Sequence, residues 1–299
     1  MNTILSIQDL HKRYGKIHAV NGLSLEIKEG SVFGILGPNG SGKSTTLGIL
    51  LDVVAKDSGS FQWFGQASSP EVRKQIGAIL ETPTFYPYLS AVQNLKVVAK
   101  IKGVDYLRIE QVLKIVGLLE RKDDPFKHYS LGMKQRLAIA SALLADPKVM
   151  ILDEPTNGLD PQGIAEIRQL IIEIARRGKT IILASHLLDE VQKVCSHFAV
   201  LKKGRKIFSG TVAEALYGSD TVEVAAADME QLQRTASEFP YLKGMVRENG
   251  HLKLQLDQSQ HSGDLNRFLV EKGIVLSHLS QQAKSLEKQF LELLASSDE

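Results

Sequence analysis

The 299-residue chain has one cysteine, Cys195, and it has no run of about 18 consecutive apolar residues. A single cysteine excludes an intrachain disulfide and fits a reducing compartment. Without a long apolar run, no segment is expected to span a membrane. Residues 1–4 do not combine a basic segment with an apolar one, so we expect no secretion signal and a cytoplasmic protein.

Net charge is also small, because 36 lysines and arginines face 34 acidic residues. The basic residues are scattered and are not interleaved with aromatic side chains, whereas nucleic-acid surfaces concentrate both. We therefore expect no nucleic-acid partner. The one cysteine falls on an apolar helical stripe with Leu187, Leu188, Val191 and Val194, which predicts a buried structural role.

The strongest motif spans residues 37–45, which read GPNGSGKST and fit the phosphate-loop pattern G-x-x-x-x-G-K-[ST]. Residues 31–36 before it have the length and composition of a buried strand, and residues 44–51 have helical composition. The glycines let consecutive backbone N–H groups approach phosphate oxygens at a helix N-terminus. The expected phosphate-binding residues are Gly37, Pro38, Asn39, Gly40, Ser41, Gly42, Lys43, Ser44 and Thr45.

Within this loop, Lys43 is expected to contact the β- and γ-phosphates, and Ser44 to offer its hydroxyl to Mg²⁺. Two carboxylates, Asp153 and Glu154, directly follow the apolar run VMIL. A strand so apolar is buried on both faces, and its end should lie beside the phosphate loop. Asp153 is then a candidate magnesium ligand, and Glu154 a candidate base for an attacking water. Asp160, before a proline, is also a candidate helix cap.

The pattern along the chain predicts an α/β fold. Residues 4–10 and 19–27 alternate apolar and polar side chains, which predicts an antiparallel β subdomain beside a P-loop core. A helical insertion is expected at about 90–145. The order βαββαβα after residue 220 predicts a small two-layer domain. The predicted domains are residues 1–217 and 220–299.

Residues 82–89, which we call the aromatic loop, read TPTFYPYL and are dense in aromatic side chains and prolines. Exposed aromatic side chains on a short loop indicate a protein contact. The alternative is a loop that simply packs on the core.

The order of GPNGSGKST, YSLGMKQR, VMILDEPTNGLD and ASH resembles that of ABC transporter ATP-binding subunits, over residues 1 to about 217. The resemblance implies ATP and Mg²⁺ as cofactors, Glu154 as the catalytic base and His186 as a contact of the γ-phosphate. It implies that Tyr14 stacks on adenine. It also implies a head-to-tail dimer, in which Ser130 and Gly132 of the signature motif reach the γ-phosphate held by the opposite subunit.

The same resemblance makes Asp160 the last residue of a loop that crosses the dimer interface. The chain departs from the family pattern at Glu81, where glutamine is usual, and in its signature, which reads YSLGM rather than LSGGQ. With the aromatic loop and residues 285–293, these departures resemble the bacitracin-type exporters. That subgroup implies a separate membrane subunit that docks near Phe85 and Tyr88, and a peripheral position on the cytoplasmic face of the membrane.

Two other functions fit parts of the pattern. A soluble ABC ATPase without a membrane partner usually carries tandem nucleotide domains or a long coiled-coil insertion, and the sequence has neither. An ATP-sensing regulatory module would not need Glu154 and His186.

The substitution Glu81→Gln is expected to keep ATPase activity, whereas Glu81→Ala should lose most of it, because only an oxygen-bearing side chain can hold Mg²⁺ or orient a water. Steady-state phosphate release at saturating Mg²⁺ measures both variants. An alanine variant with parental turnover would show that Glu81 has no magnesium role.

Overall fold

The computed structural model describes residues 2–80, 84–217, 221–248, 250–257 and 262–281. It forms two compact units, the first extending to Val212 and the second beginning at Ala213. Glu81, the first two residues of the aromatic loop and the helix expected at 285–294 lie outside the described residues.

The elements of the first unit, in chain order, are β1 (Thr3–Tyr14), β2 (Ile17–Lys28), β3 (Val32–Leu36), α1 (Lys43–Leu50), β4 (Ser58–Trp63), β5 (Gln66–Ala67), α2 (Pro70–Arg73), β6 (Ile76–Ile79), α3 (Ala91–Lys102), α4 (Leu107–Ile115), α5 (Leu131–Leu143), β7 (Val149–Asp153), α6 (Pro161–Arg176), β8 (Thr180–Ser185), α7 (Leu188–Val194), β9 (His197–Lys202) and β10 (Arg205–Thr211). Short 3₁₀ turns lie at Leu119–Arg121 and Phe126–His128. After α8 (Val212–Tyr217), the chain continues with β11 (Thr221–Ala226), α9 (Met229–Ser237), β12 (Leu242–Glu248), β13 (His251–Leu256), α10 (Ser262–Glu271) and β14 (Leu276–Gln281).

The central sheet has six strands in the order β10-β9-β3-β8-β7-β6, and all neighbours but the β10–β9 pair run parallel. Every residue of β3, β7 and β8 is buried. Parallel strands covered on both faces read as continuous apolar runs, which is why the sequence predicted them well. Because β8 lies between β3 and β7, the carboxyl ends of these three strands form one row.

The antiparallel subdomain is a second sheet, in the order β2-β1-β4-β5, and it shares one apolar core with β3 and α1. The predicted strands are present but longer than 4–10 and 19–27. The alternation fails at Gln8 and Asp9, which are both exposed because Asp9 has a φ of 47° and shifts the β1–β2 register. This β-bulge hides the second half of β1 from a period-two pattern.

The helical insertion contains α3, α4 and α5. Ser90 begins α3 with a capping box, since its hydroxyl accepts the Gln93 N–H at 3.3 Å and its own N–H donates to Gln93 Oε1 at 2.9 Å. Gly103 ends α3 in the left-handed conformation, with φ 65°, and Gly117 after α4 has φ 66°. These two glycines therefore divide the insertion into separate helices.

The second unit is an antiparallel sheet in the order β12-β13-β11-β14 with two helices packed against it. Alternate residues of its strands, such as Val222, Val224, Leu252 and Leu254, meet α9 and α10 in a core of their own. Its described elements follow the predicted order βαββαβ, a split βαβ arrangement.

Cys195 is buried at the C-terminal end of α7. Burial, reinforced by the charge of Glu190, raises the pKa of its thiol, so the group remains protonated and unreactive. The predicted structural role is confirmed. Among the described helices, none is both long enough and apolar enough to cross a bilayer.

The substitution Leu254→Ala should lower the unfolding free energy of the second unit by about 2–5 kcal/mol, because Leu254 is fully buried in that unit's core. Val246→Ala, at an exposed position in β12, should change it by less than about 0.5 kcal/mol. Urea unfolding followed by circular dichroism measures the loss.

The only tryptophan of the chain, Trp63, is buried in the first unit and reports on that unit alone. Its fluorescence transition should stay in place in Leu254→Ala. If both signals move together, the two units do not unfold independently.

Candidate active site

Three adjacent strands deliver the predicted catalytic residues to one edge of the central sheet. The phosphate loop follows β3, Asp153 ends β7, and His186 follows β8. Backbone hydrogen bonds join these segments, from Gly37 N–H to the Ser185 carbonyl at 3.3 Å and from Glu154 N–H to the Ala184 carbonyl at 3.0 Å. The structure therefore brings together residues as distant in the sequence as Gly37 and Ser185.

The phosphate loop requires glycine at two positions. A Cβ on Gly37 would lie 2.4 Å from the Leu201 carbonyl oxygen. At Gly42, where φ is 104°, it would lie 2.2 Å from the Ala19 carbonyl oxygen. Helix α1 begins at the next residue, so its first N–H groups have no carbonyl within the helix to receive them. Such a loop-to-helix junction suits an anion.

The nine loop residues differ in their exposure. Pro38, Asn39, Gly40 and Ser44 are exposed, Gly42 and Thr45 are half-buried, and Gly37, Ser41 and Lys43 are buried. Lys43 donates to the Gly37 carbonyl at 2.8 Å, and its ammonium lies 3.2 Å from Glu154 Oε1. The lysine is thus held within the loop and its charge is balanced by the candidate base.

Glu154 occupies a special backbone position. Its φ of 47° is left-handed, a conformation that costs a non-glycine residue of this kind about 1–3 kcal/mol. Because β7 ends at Asp153, this left-handed turn, and not the alternation of a strand, sets the direction of the side chain. One carboxylate oxygen pairs with Lys43, and the other lies 2.8 Å from His186 Nδ1.

The signature motif lies at the start of α5. Ser130 is its N-cap and accepts the Met133 N–H at 3.2 Å. A hydroxyl has one donor and two acceptor sites, so this cap leaves the O–H free to donate elsewhere. Asp160 likewise caps α6 by accepting the Gly163 N–H at 3.0 Å, as its position before a proline suggested.

A groove of about 400 Å³ lies between the signature motif and the loop before α6. Its lining includes Ser130, Leu131, Gly132, Gly158, Leu159 and Asp160. No phosphate-loop residue is among the described residues that line it. The groove at the signature therefore does not include the phosphate loop of the same chain.

Tyr14 lies at the tip of the β1–β2 hairpin and is half exposed. The Lys12 ammonium lies 5.4 Å from the centre of its ring. Asp57 anchors the hairpin by accepting from Lys12 Nζ at 3.0 Å and from the Arg13 N–H at 2.6 Å. The Lys12 hydrogen bond holds the pKa of this carboxyl below its usual value. The hairpin tip is thus fixed, with an aromatic face accessible.

Sequence reasoning missed Asn94, which organises the aromatic loop. Asn94 is buried in α3; its amide oxygen accepts the Tyr86 N–H at 2.8 Å, and its nitrogen donates to the Leu89 carbonyl at 3.2 Å. Tyr86 and Tyr88 are 50% and 70% exposed, so they project from a loop that is held from below. A buried asparagine has no distinctive sequence pattern, because its partners are backbone groups.

A parallel sheet with this strand order, in which β3 leads into a glycine loop and a buried lysine, is that of a P-loop nucleoside triphosphatase. Residues 20–157 match the family model described as ABC transporter. The bacitracin transport ATP-binding protein BcrA of Bacillus licheniformis is 37% identical over 308 residues, covering 98% of this chain and 98% of that protein. This chain belongs to the ATP-binding proteins of ABC transporters. It binds ATP and is an ATP hydrolase.

Solved structures agree with this assignment. CbiO1 from Clostridium perfringens, part of the ABC transporter complex CbiONQ, is 32% identical with a TM-score of 0.67, covering 80% of this chain and 97% of its own. The ATP-binding cassette MJ0796, in a dimeric post-hydrolysis state bound to ADP and Pi, is 26% identical with a TM-score of 0.63. That match covers 70% of this chain and 99% of the cassette.

The substitution Lys43→Ala is expected to weaken ATP binding by about 10- to 100-fold, because a charge-assisted hydrogen bond to phosphate is worth about 1.5–3 kcal/mol. Isothermal titration calorimetry with ATP measures the change. Lys56→Ala is the control, since Lys56 is exposed and donates to the Gly59 carbonyl at 2.8 Å. Equal affinities in the two variants would remove Lys43 from the phosphate site.

Proposed function

We propose that this chain is the ATPase subunit of an exporter of bacitracin-type peptide antibiotics, and that it works as a head-to-tail dimer. The similarity to BcrA along the whole chain supports the substrate class. The observation that carries the dimer is the separation of the signature groove from the phosphate loop. One chain holds both halves of an ATP site at different places, so two copies that face each other in opposite directions would complete two sites.

In this dimer, ATP lies on the phosphate loop of one copy, with its adenine against Tyr14. Ser130 and Gly132 of the other copy approach the γ-phosphate, since the Ser130 hydroxyl retains its proton for donation and α5 begins there. Asp160 holds the start of α6 beside that groove. Positioning groups on rigid helix ends is the main protein contribution to phosphoryl transfer.

Glu154 is proposed as the general base and His186 as its orienting partner. An ionised carboxylate only accepts hydrogen bonds, so the 2.8 Å contact requires that Nδ1 of His186 carries a proton. Nε2 is then the ring nitrogen available to the γ-phosphate or the attacking water. When ATP binds, its phosphate oxygens would pair with the Lys43 ammonium in place of Glu154. Glu154 would then be free of its ion pair and able to accept a proton.

Magnesium is proposed to bind between Ser44 and Asp153, with Glu81 as a further ligand. A hydroxyl exposed at the start of α1 and a carboxylate at the end of β7 are hard oxygen donors, which fit Mg²⁺. The described residues contain no cluster of three or more acidic, histidine or cysteine ligands. Phosphate oxygens and water would therefore supply the rest of the coordination, as is usual for this ion.

The membrane partner is proposed to dock on the aromatic loop, so that the chain sits peripherally on the cytoplasmic face of the membrane. Tyr86 and Tyr88 are exposed, and buried Asn94 holds the backbone of Tyr86 by a hydrogen bond; both observations favour this docking site. Aromatic side chains on a held backbone lose little entropy on binding. The relation of CbiO1 to a transporter complex supports the same arrangement. We further propose that residues 1–217 are the ATPase domain and 220–299 an accessory domain.

The substitution Glu154→Gln tests the proposed function. We expect ATP binding to persist, hydrolysis to fall by about 10²–10⁴-fold, and an ATP-stabilised dimer to accumulate, because closure needs only nucleotide whereas reopening needs hydrolysis. Phosphate release and light scattering with and without ATP measure these effects. Glu173→Gln, on α6 and outside the site, is the control.

A Glu154→Gln protein that hydrolyses ATP at the parental rate is incompatible with a base at this position. One that is slow yet remains monomeric at saturating ATP would retain the base but exclude the proposed dimer.

A further inference from the structure

We propose that Ser185 and Glu190 form a buried pair that positions His186, and that they act in ATP hydrolysis without touching the nucleotide. The inference rests on the proposed role of His186 as the partner of Glu154. Ser185 belongs to the ASH motif, but that motif assigns a role only to His186, and Glu190 lies outside every motif described above. Both residues are buried in the first unit.

The pair encloses the turn that carries His186. Ser185, the last residue of β8, is fully buried. Its hydroxyl donates to Glu190 Oε2 at 3.2 Å and accepts the Leu187 N–H at 3.0 Å. The Ser185 hydroxyl thus links the backbone of Leu187, the residue after the histidine, to the side chain of Glu190 in the first turn of α7. The backbone on both sides of His186 is fixed by this arrangement.

A buried glutamate at position 190 is unfavourable if its role is purely structural. It is 1% exposed, and its Oε1 has no hydrogen-bond partner among the described residues. A buried carboxylate with an unpaired oxygen destabilises a fold, and an apolar side chain of similar volume is often neutral or stabilising at such a site. A cost of this kind at the edge of a catalytic centre points to a functional requirement.

Two hydrogen bonds connect the turn at Ser185 and His186 to the groups that act on ATP. The Ser185 carbonyl accepts the Gly37 N–H at 3.3 Å, which links the β8 end to the start of the phosphate loop. His186 Nδ1 lies 2.8 Å from Glu154 Oε2. A shift of the turn by a few tenths of an ångström would lengthen the second contact. Glu190 and Ser185 are therefore positioning residues, whereas Glu154 and His186 are the residues that lie next to the reacting atoms.

The test is a set of double-mutant cycles on ATP turnover. Ser185→Ala and Glu190→Met should each lower kcat by about tenfold, the cost of about one hydrogen bond in the transition state, with KM for ATP unchanged within about twofold. Glu190→Gln keeps an oxygen that accepts from Ser185, so it should retain most of the parental kcat. Thermal unfolding should show Glu190→Met to be as stable as the parent or more so, which separates positioning from folding.

In a His186→Ala background, Ser185→Ala should have no further effect, because the side chain that it positions is gone. Asp189→Asn is the matched control on the same helix, since Asp189 forms an exposed ion pair with Arg168. That variant should behave as the parent.

Additive losses of Ser185→Ala and His186→Ala would overturn the inference, as would a parental kcat in Glu190→Met. A loss of kcat that only follows a fall in melting temperature would assign the pair to folding and also overturn it. If His186→Ala itself turns over ATP at the parental rate, the proposed role of His186 fails first. A slow His186→Ala with a fast Ser185→Ala refutes the positioning pair alone.

Discussion

The site depends on the contact of one carboxylate with an ammonium and an imidazole. Glu154 lies between Lys43 and His186. Glu154 and His186 directly follow β7 and β8, and Lys43 begins α1 after the loop that follows β3. Only the adjacency of β3, β8 and β7 brings them within hydrogen-bond distance. The buried apolar runs that form those strands are therefore a requirement of the chemistry as much as of the fold, since a register slip in any of them would separate the three groups.

The parts of the fold and the site whose signals are local can be predicted from the sequence. A glycine loop between an apolar run and a helix, or a carboxylate at the end of a buried strand, can be recognised from neighbouring residues alone. The bulge at Asp9 and the left-handed backbone of Glu154 could not be predicted in that way, because tertiary contacts impose them against residue preference. Asn94 and the Ser185–Glu190 pair were also missed, since their partners are distant or are backbone groups.

The first departure of the signature, Tyr129, has a packing explanation in the structure. Tyr129 stands where the family pattern has leucine, and it is buried with its hydroxyl donating to the Arg121 carbonyl at 2.6 Å. Its ring lies 6.0 Å from that of Phe126, which in turn lies 5.2 Å from Phe85 in the aromatic loop. The Phe126 N–H also donates to the Leu89 carbonyl at 2.9 Å. The proposed docking loop and the signature helix are thus parts of one packed aromatic cluster.

The left-handed backbone of Glu154 sets stability and catalysis against each other at a single position. Glycine or asparagine would adopt that conformation at lower cost, so either would relieve part of the strain while removing the carboxylate. Either substitution would also leave the buried ammonium of Lys43 without its partner, so backbone strain and charge balance act on stability in opposite directions at residue 154.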